Sequence, residues 1–313
     1  MSRIAQFAGV ESAALPARPL HLAIGIFDGV HLGHRSVISA AVQSARSSGG
    51  LAAVLTFSPH PSAVLRPGHG TPLFQPAAAK ALVLERLGVE AVIVQPFTPE
   101  FAQIPAADFL PWLKSRLPHL VEVYVGENWR FGHDRRGDVA FLVAHARELG
   151  LAVFSAPRVN FDGDPISSSR IRALLAAGEI ATASTLLGYP YFSTGVVASG
   201  KRLGRTIGFP TLNLSWSPEL RPKLGVYAVR VLGAKSPDAL PAVANYGLRP
   251  TVEQTTEPRL EVHVLGACPY DAGDEVVVEW LHFLRPEMKF SGLPELRAQI
   301  ARDRDSALAC FAR

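Results

Sequence analysis

The chain has 313 residues, 48% of them hydrophobic, a formal net charge of +4 and a pI near 9.2, which leaves room for two separate cores. Its Lys and Arg residues are spread along the sequence instead of forming one block, which disfavours a nucleic-acid surface and suits small anionic substrates. Cys268 and Cys310 lack CxxC spacing, so neither a zinc site nor a disulfide framework is indicated; with no signal-like start and no long uncharged apolar run, the expectation is a cytoplasmic protein without a membrane span.

From Leu20 to about Leu187, apolar runs at Leu20–Phe27, Leu51–Phe57, Val89–Val94, Leu120–Val125 and Leu151–Ser155 read as buried strands. Between them Arg35–Arg46, Ala77–Leu87, Ala107–Arg116 and Val139–Leu149 carry helical periodicity, and Arg170–Ala177 follows as a further helix. This alternation predicts an α/β domain over residues 1–187, a doubly wound parallel sheet with its ligand site at the carboxyl ends of the strands. After Gly188-Tyr189-Pro190 the pattern changes to short strands at Ser193–Val197, Val226–Leu232, Ala242–Asn245, Leu260–Leu265 and Glu275–Leu281, closed by a helix over Pro294–Ala309. A small β-barrel with a terminal helix is expected over residues 188–313.

The first chemical motif joins the first strand to the first helix: Gly25-Ile26-Phe27-Asp28-Gly29-Val30-His31-Leu32-Gly33-His34. Backbone amides at a helix N-terminus attract phosphate, Gly29 and Gly33 let an anion approach the backbone, and His31 and His34, three apart, can face it together. Such a site would stabilise a pentavalent α-phosphate without a covalent intermediate. A bare HxxH, taken alone, reads first as a tight turn bearing two incidental surface histidines, and only its place between strand and helix reverses that preference. Downstream lie Phe57-Ser58-Pro59-His60-Pro61, then Val125-Gly126-Glu127-Asn128-Trp129-Arg130-Phe131-Gly132, then Ile166-Ser167-Ser168-Ser169-Arg170-Ile171-Arg172. Read alone, Ser167, Ser168 and Ser169 are ordinary helix N-caps and Arg170 and Arg172 solvated charges; beside a nucleotide the same groups would hold a departing pyrophosphate.

The barrel segment carries Gly200-Lys201-Arg202-Leu203-Gly204-Arg205-Thr206-Ile207-Gly208-Phe209-Pro210-Thr211-Leu212-Asn213. A glycine-rich basic loop of this kind can fold over phosphates, and Thr211 and Asn213, two apart on an extended segment, can offer oxygens to Mg²⁺ on one side. The order of residues is not that of a Walker A loop, and a basic hairpin followed by a Pro-initiated strand accounts for it as well. Ala244-Asn245-Tyr246-Gly247-Leu248-Arg249-Pro250-Thr251 and Leu260-Glu261-Val262-His263 follow. Glu261, alternating with apolar neighbours, is either a solvent-facing strand residue or a carboxylate placed to accept the proton of an alcohol.

Taken in order, these segments resemble the GxFDGxHxGH, ISSTRIR, GxxxGRxxGFPTAN, ANxGxRPT and LEVH stretches of prokaryotic bifunctional riboflavin kinase/FAD synthetases, over nearly the whole chain from Leu20. The resemblance implies phosphorylation of riboflavin to FMN by the C-terminal domain and adenylylation of FMN to FAD by the N-terminal one. ATP and Mg²⁺ are then required, and FMN and FAD are products, not redox cofactors. It implies that Gly25, Phe27, Asp28, Gly29, Gly33, Ser167, Ser168, Ser169, Arg170 and Arg172 bind ATP phosphates beside His31 and His34. In the kinase it places Gly200, Lys201, Gly204 and Arg205 on ATP, Thr211 and Asn213 on Mg²⁺, and Glu261 as base. Asn128, Arg249 and Arg297 are the implied flavin contacts, although Arg297 also reads as a solvated helix charge. A monomer or weak homo-oligomer is expected. Three departures stand out: Ser169 replaces Thr, Leu212 stands where Ala is usual, and Gly266–Asp274 lacks the acidic, DLYG-like turn usual after the LEVH strand.

Overall fold

A computed structural model describes residues 4–199, 208–248 and 257–312. By packing, the chain separates into two compact units, residues 1–168 and 169–313.

In the first unit, strands β1 (Ala5–Phe7), β2 (Leu20–Ile24), β3 (Leu51–Ser58), β4 (Ala91–Pro96), β5 (Leu120–Gly126) and β6 (Ala152–Ala156) form a parallel sheet of order β1-β4-β3-β2-β5-β6. Helices α1 (Leu32–Ser48), α2 (Pro61–Leu65), α3 (Ala77–Arg86), α4 (Ala106–Arg116) and α5 (Val139–Glu148) connect them, and β7 (Asn160–Phe161) with β8 (Asp164–Pro165) makes a short hairpin. Every residue of β2 is buried, as expected of a central parallel strand covered on both faces. Leu20, Leu22 and Ile24 share a core with Phe109, Leu110 and Leu113 of α4 and Leu142 of α5. His21, on the opposite face of β2, is accommodated under α1 by Ser48 Oγ at 2.8 Å and Tyr124 OH at 3.1 Å. The sheet is the doubly wound one expected; β1 and α2 are additions too short for periodicity to reveal.

Helix α6 (Ser168–Ala177) spans the division, and α7 (Ile180–Leu187) follows. Gly178, between them, lies against Lys223 and Phe283, so these helices pack on the second unit. There β9 (Phe192–Ala198), β10 (Leu212–Ser215), β11 (Gly225–Gly233), β12 (Ser236–Gly247), β13 (Arg259–Val264) and β14 (Glu275–Arg285) close an antiparallel barrel in the order β10-β13-β12-β11-β14-β9. Closure leaves no sheet edge open. Its interior is aromatic: Trp280 is fully buried, meets Tyr227 and Tyr246 edge-on, and donates its indole N–H to Ser193 Oγ at 3.0 Å. The terminal helix α8 (Leu293–Phe311) is clamped by Asp303, whose carboxylate accepts from Arg285 Nε at 2.8 Å and Nη2 at 2.7 Å and from Gln299 Nε2 at 2.8 Å. Among the described residues, no helix is long and apolar enough to cross a membrane.

Candidate functional sites

In the sheet unit the chain steps from β2 outward through β3 to β4, then returns to the other side of β2 for β5 and β6. The reversal makes a switch point between β2 and β5, where a crevice opens at the carboxyl ends. The Gly25–His34 loop leaves β2 there and Asn128 follows β5, while Phe57–Pro61 leaves the end of β3.

Loop conformation is unusual for its sequence. Phe27 (φ 49°) and Val30 (φ 39°) occupy left-handed backbone that side chains disfavour, and Gly29 (φ 78°) lies between them. A Cβ on Gly25 would meet the Phe27 ring at 3.0 Å, and one on Gly33 would meet the His31 ring at 3.3 Å, so both glycines make room for the loop's own rings. His31 is the N-cap of α1, its Nδ1 accepting from His34 N at 3.3 Å, and the two imidazoles stack with centroids 3.6 Å apart. Two positive charges at that spacing repel. Burial first, then the charges of His31 and Lys80, hold the His34 imidazole well below its ordinary value of 6.5. His34 is therefore neutral near pH 7, and its buried Nδ1 has no hydrogen-bond partner among the described residues. A neutral imidazole offers an N–H to a developing phosphate charge without the cost of holding a second cation.

Asp28 braces the loop: its Oδ1 accepts from Phe74 N at 3.1 Å, and its backbone carbonyl accepts from Ser168 Oγ at 3.2 Å. The second bond brings the start of the Ile166–Arg172 run to the loop. Helix α6 begins at Ser168; Ser169 is exposed, and Ser167, Arg170 and Arg172 are half-buried. Asn128 is exposed and donates to Glu127 Oε1 at 3.1 Å. His60 caps α2, its Nδ1 accepting from Ser62 N at 3.1 Å.

Two groups here escaped sequence reasoning. Gln75, next to Phe74, is buried with neither side-chain amide atom hydrogen-bonded among the described residues. Lys80 of α3 is buried, donating to the Ile26 carbonyl at 2.9 Å; Thr56 Oγ1 donates to the same carbonyl at 2.8 Å. A lysine in an alanine-rich helix reads as a solvated charge, and no periodic signal marks it otherwise.

In the barrel unit, strand pairing sets Asn213 of β10 opposite Glu261 of β13, and Glu261 opposite Asn245 of β12. Their neighbours Leu214, Leu260, Val262, Ala244 and Tyr246 are buried while these three are half-buried, so alternation places all three on the outer face in one row. Thr211 precedes β10 on the same parity as Asn213. Just before it, the Pro210 carbonyl accepts from His263 Nδ1 at 2.7 Å and the Phe209 ring meets the His263 ring edge-on, fixing this segment on β13. A Cβ on Gly208 would lie 3.8 Å from Arg297 Nη2, so exposed Arg297 of α8 reaches the same end of the barrel. Gly200, Lys201, Gly204, Arg205 and Arg249 lie outside the described residues. The divergent Gly266–Asp274 segment is a built turn: Tyr270 is buried, donating to the Gly233 carbonyl at 3.3 Å, and Asp274 pairs with Lys235 at 2.7 Å. Lys80 and Gln75 come to notice only through burial, and Asn245, already part of a sequence motif, is set beside Glu261 by strand pairing.

Comparison with known proteins gives two family matches, "FAD synthetase" over residues 15–170 and "Riboflavin kinase" over residues 187–311. Curated proteins described as bifunctional riboflavin kinase/FMN adenylyltransferase are similar along most of their length. The Listeria monocytogenes protein is 37% identical over 93% of this chain and 92% of its own, and the Escherichia coli protein 36% over the same shares. The Haemophilus influenzae protein is 35% identical over 97% and 98%. A crystal structure from Streptococcus pneumoniae titled a macrolide-efflux protein superposes with a TM-score of 0.86 at 28% identity, covering 96% of this chain and 97% of that one.

Proposed function

The chain belongs to the family of bifunctional riboflavin kinase/FMN adenylyltransferases, and from that premise we propose that each activity resides in one of the two candidate sites. It phosphorylates riboflavin to FMN and adenylylates FMN to FAD, using ATP in both steps. FAD is released as product, so the chain's own residues bind, orient and move protons rather than electrons.

For phosphorylation, Glu261 orients the ribityl 5′-hydroxyl and takes its proton as that oxygen bonds to the γ-phosphorus of ATP and ADP departs. The observation that carries this assignment is the in-register row Asn213–Glu261–Asn245 on the barrel's outer face. Thr211 and Asn213 present neutral oxygens on one side of an extended segment, a donor set that fits a hard divalent cation. Mg²⁺ held there would neutralise charge on the terminal phosphates of ATP. Gly200, Lys201, Gly204 and Arg205 hold the ATP phosphates, and Arg249 and Arg297 support the flavin.

For adenylylation, an oxygen of the FMN phosphate attacks the α-phosphorus of ATP, the bond to the β-phosphate oxygen breaks, and pyrophosphate leaves. Amides of the Gly25–Gly33 loop and neutral His34 with His31 receive the charge that develops on the α-phosphate. Ser167, Ser168, Ser169, Arg170 and Arg172 take the pyrophosphate, and Asn128 contacts the flavin substrate. Burial of the loop's rings and the Ser168–Asp28 bond support this arrangement. The protein acts on these small molecules as a monomer or weak homo-oligomer.

A metal titration tests the assignment to β10. Asn213→Ala and Thr211→Val should raise the Mg²⁺ concentration giving half-maximal riboflavin phosphorylation by about tenfold or more, leaving the Mg²⁺ dependence of FAD formation from added FMN unchanged. An unaltered Mg²⁺ requirement for phosphorylation in both variants would remove these residues from the metal site.

A further inference from the structure

We propose that Lys80 is a positioning residue for FMN adenylylation, its buried ammonium fixing the Ile26 carbonyl and thereby the turn that receives the nucleotide phosphates. The inference rests on the reading of the Gly25–His34 loop as that phosphate site.

After Gly25, whose amide still donates to the Leu55 carbonyl at 3.1 Å, the chain leaves the sheet and Ile26 turns its carbonyl toward α3. Two donors converge on this oxygen, Lys80 Nζ at 2.9 Å and Thr56 Oγ1 at 2.8 Å, and they stand 3.4 Å from one another. In a trans peptide the carbonyl and the next N–H point in opposite directions, so anchoring Ile26 O sets the Phe27 N–H facing away from α3. Phe27 is the first of the two non-glycine residues that the loop holds at positive φ. Such a conformation persists only where its surroundings over-determine it. A single hydroxyl bond from Thr56 is a neutral tether; the ammonium adds a charge-assisted one.

A charged lysine so deeply buried is not explained by stability. Burial pulls its ammonium below the ordinary lysine value, against the opposing attraction of Asp28. With the folded value depressed, the unfolded chain holds the proton more tightly between the two values, so stability rises with pH there and the charged form is a burden at neutral pH. An apolar residue of similar length would relieve it. The fold tolerates a destabilising cation directly behind the proposed phosphate turn, where its field also acts on His34. Among the described residues, the charged and titratable groups whose fields act on Lys80 and His34 are Asp28 and His31.

The test compares Lys80→Met, Lys80→Arg and His34→Ala in the full chain, measuring FAD formation from FMN and ATP, riboflavin phosphorylation, and thermal stability. Lys80→Met should melt at or above the parent temperature and phosphorylate riboflavin normally, while kcat for FAD formation falls about 100-fold with KM for FMN changed less than threefold. Lys80→Arg should recover at least a tenth of the parent kcat. The parent rate should also decline toward alkaline pH as the ammonium deprotonates, a limb that the arginine variant lacks. If His34→Ala is inactive but Lys80→Met keeps its kcat, the positioning role is refuted. If His34→Ala itself forms FAD at the parent rate, the phosphate-site reading fails instead. Loss of both activities and of stability in Lys80→Met, with no recovery in Lys80→Arg, would make Lys80 a structural residue and also overturn the proposal.

Discussion

Truncating Asp303 to alanine should uncouple the terminal helix from the barrel. The Asp303 side chain is 7% exposed and its carboxylate accepts three hydrogen bonds, two from Arg285 in a bidentate pair and one from Gln299. Its removal leaves a guanidinium whose side chain is only 17% exposed without a counter-charge. Breaking one side of a buried pair costs about 3–5 kcal/mol, and the residual hydration of Arg285 places this case near 3. For a unit the size of the barrel that corresponds to a fall of roughly 10 °C in its transition. Differential scanning calorimetry of the full chain reads this directly. Because α8 carries Arg297, riboflavin phosphorylation should weaken in parallel while FAD formation from added FMN persists. Replacing both partners, Arg285→Met with Asp303→Leu, should recover most of the lost stability, since the cost lies in the stranded charge. A shift below about 2 °C in Asp303→Ala, or a double variant no better than the single one, would refute the reasoning.

Other consequences follow from the same geometry. Asn245→Ala removes the amide that register sets opposite Glu261 and should slow riboflavin phosphorylation at least tenfold without changing adenylylation. The depressed His34 value means that an unfolded chain takes up a proton that the native ring refuses. The sheet unit should therefore lose stability as pH falls below about 6.5, and His34→Gln should flatten that slope in urea titrations at pH 5.5 and 7.5. Trp280→Ala, which empties the centre of the barrel, should cost about 3–5 kcal/mol, against which Trp280→Phe should be measurably milder in chemical denaturation.

Much of the architecture was legible in the sequence because the signals are local. Continuous apolar runs between amphipathic stretches identify β2 to β6 and their helices, and the Gly25–His34 motif needs only its place between a strand and a helix. Elements whose reasons are not local were missed. The three-residue β1 gains its place by pairing with β4, and α7, only eight residues long and without a charged residue to mark its outer face, sits against β14. At the sites, Glu261 was visible as a candidate, but its alignment with Asn213 and Asn245 depends on strand register. Lys80 and Asp303 were invisible for a simpler reason: charged residues in helical patterns ordinarily face water, and only the folded chain brings Ile26 and Arg285 against them.

The most direct test follows flavins by chromatography after adding riboflavin, ATP and Mg²⁺ to the parent chain, to Glu261→Gln, and to His31→Ala combined with His34→Ala. The parent should accumulate FMN and then FAD; Glu261→Gln should leave riboflavin unchanged yet convert added FMN to FAD, and the double histidine variant should stop at FMN. Riboflavin phosphorylation at the parent rate by Glu261→Gln, or FAD formation at the parent rate by the histidine variant, would contradict the division of the two reactions between these sites.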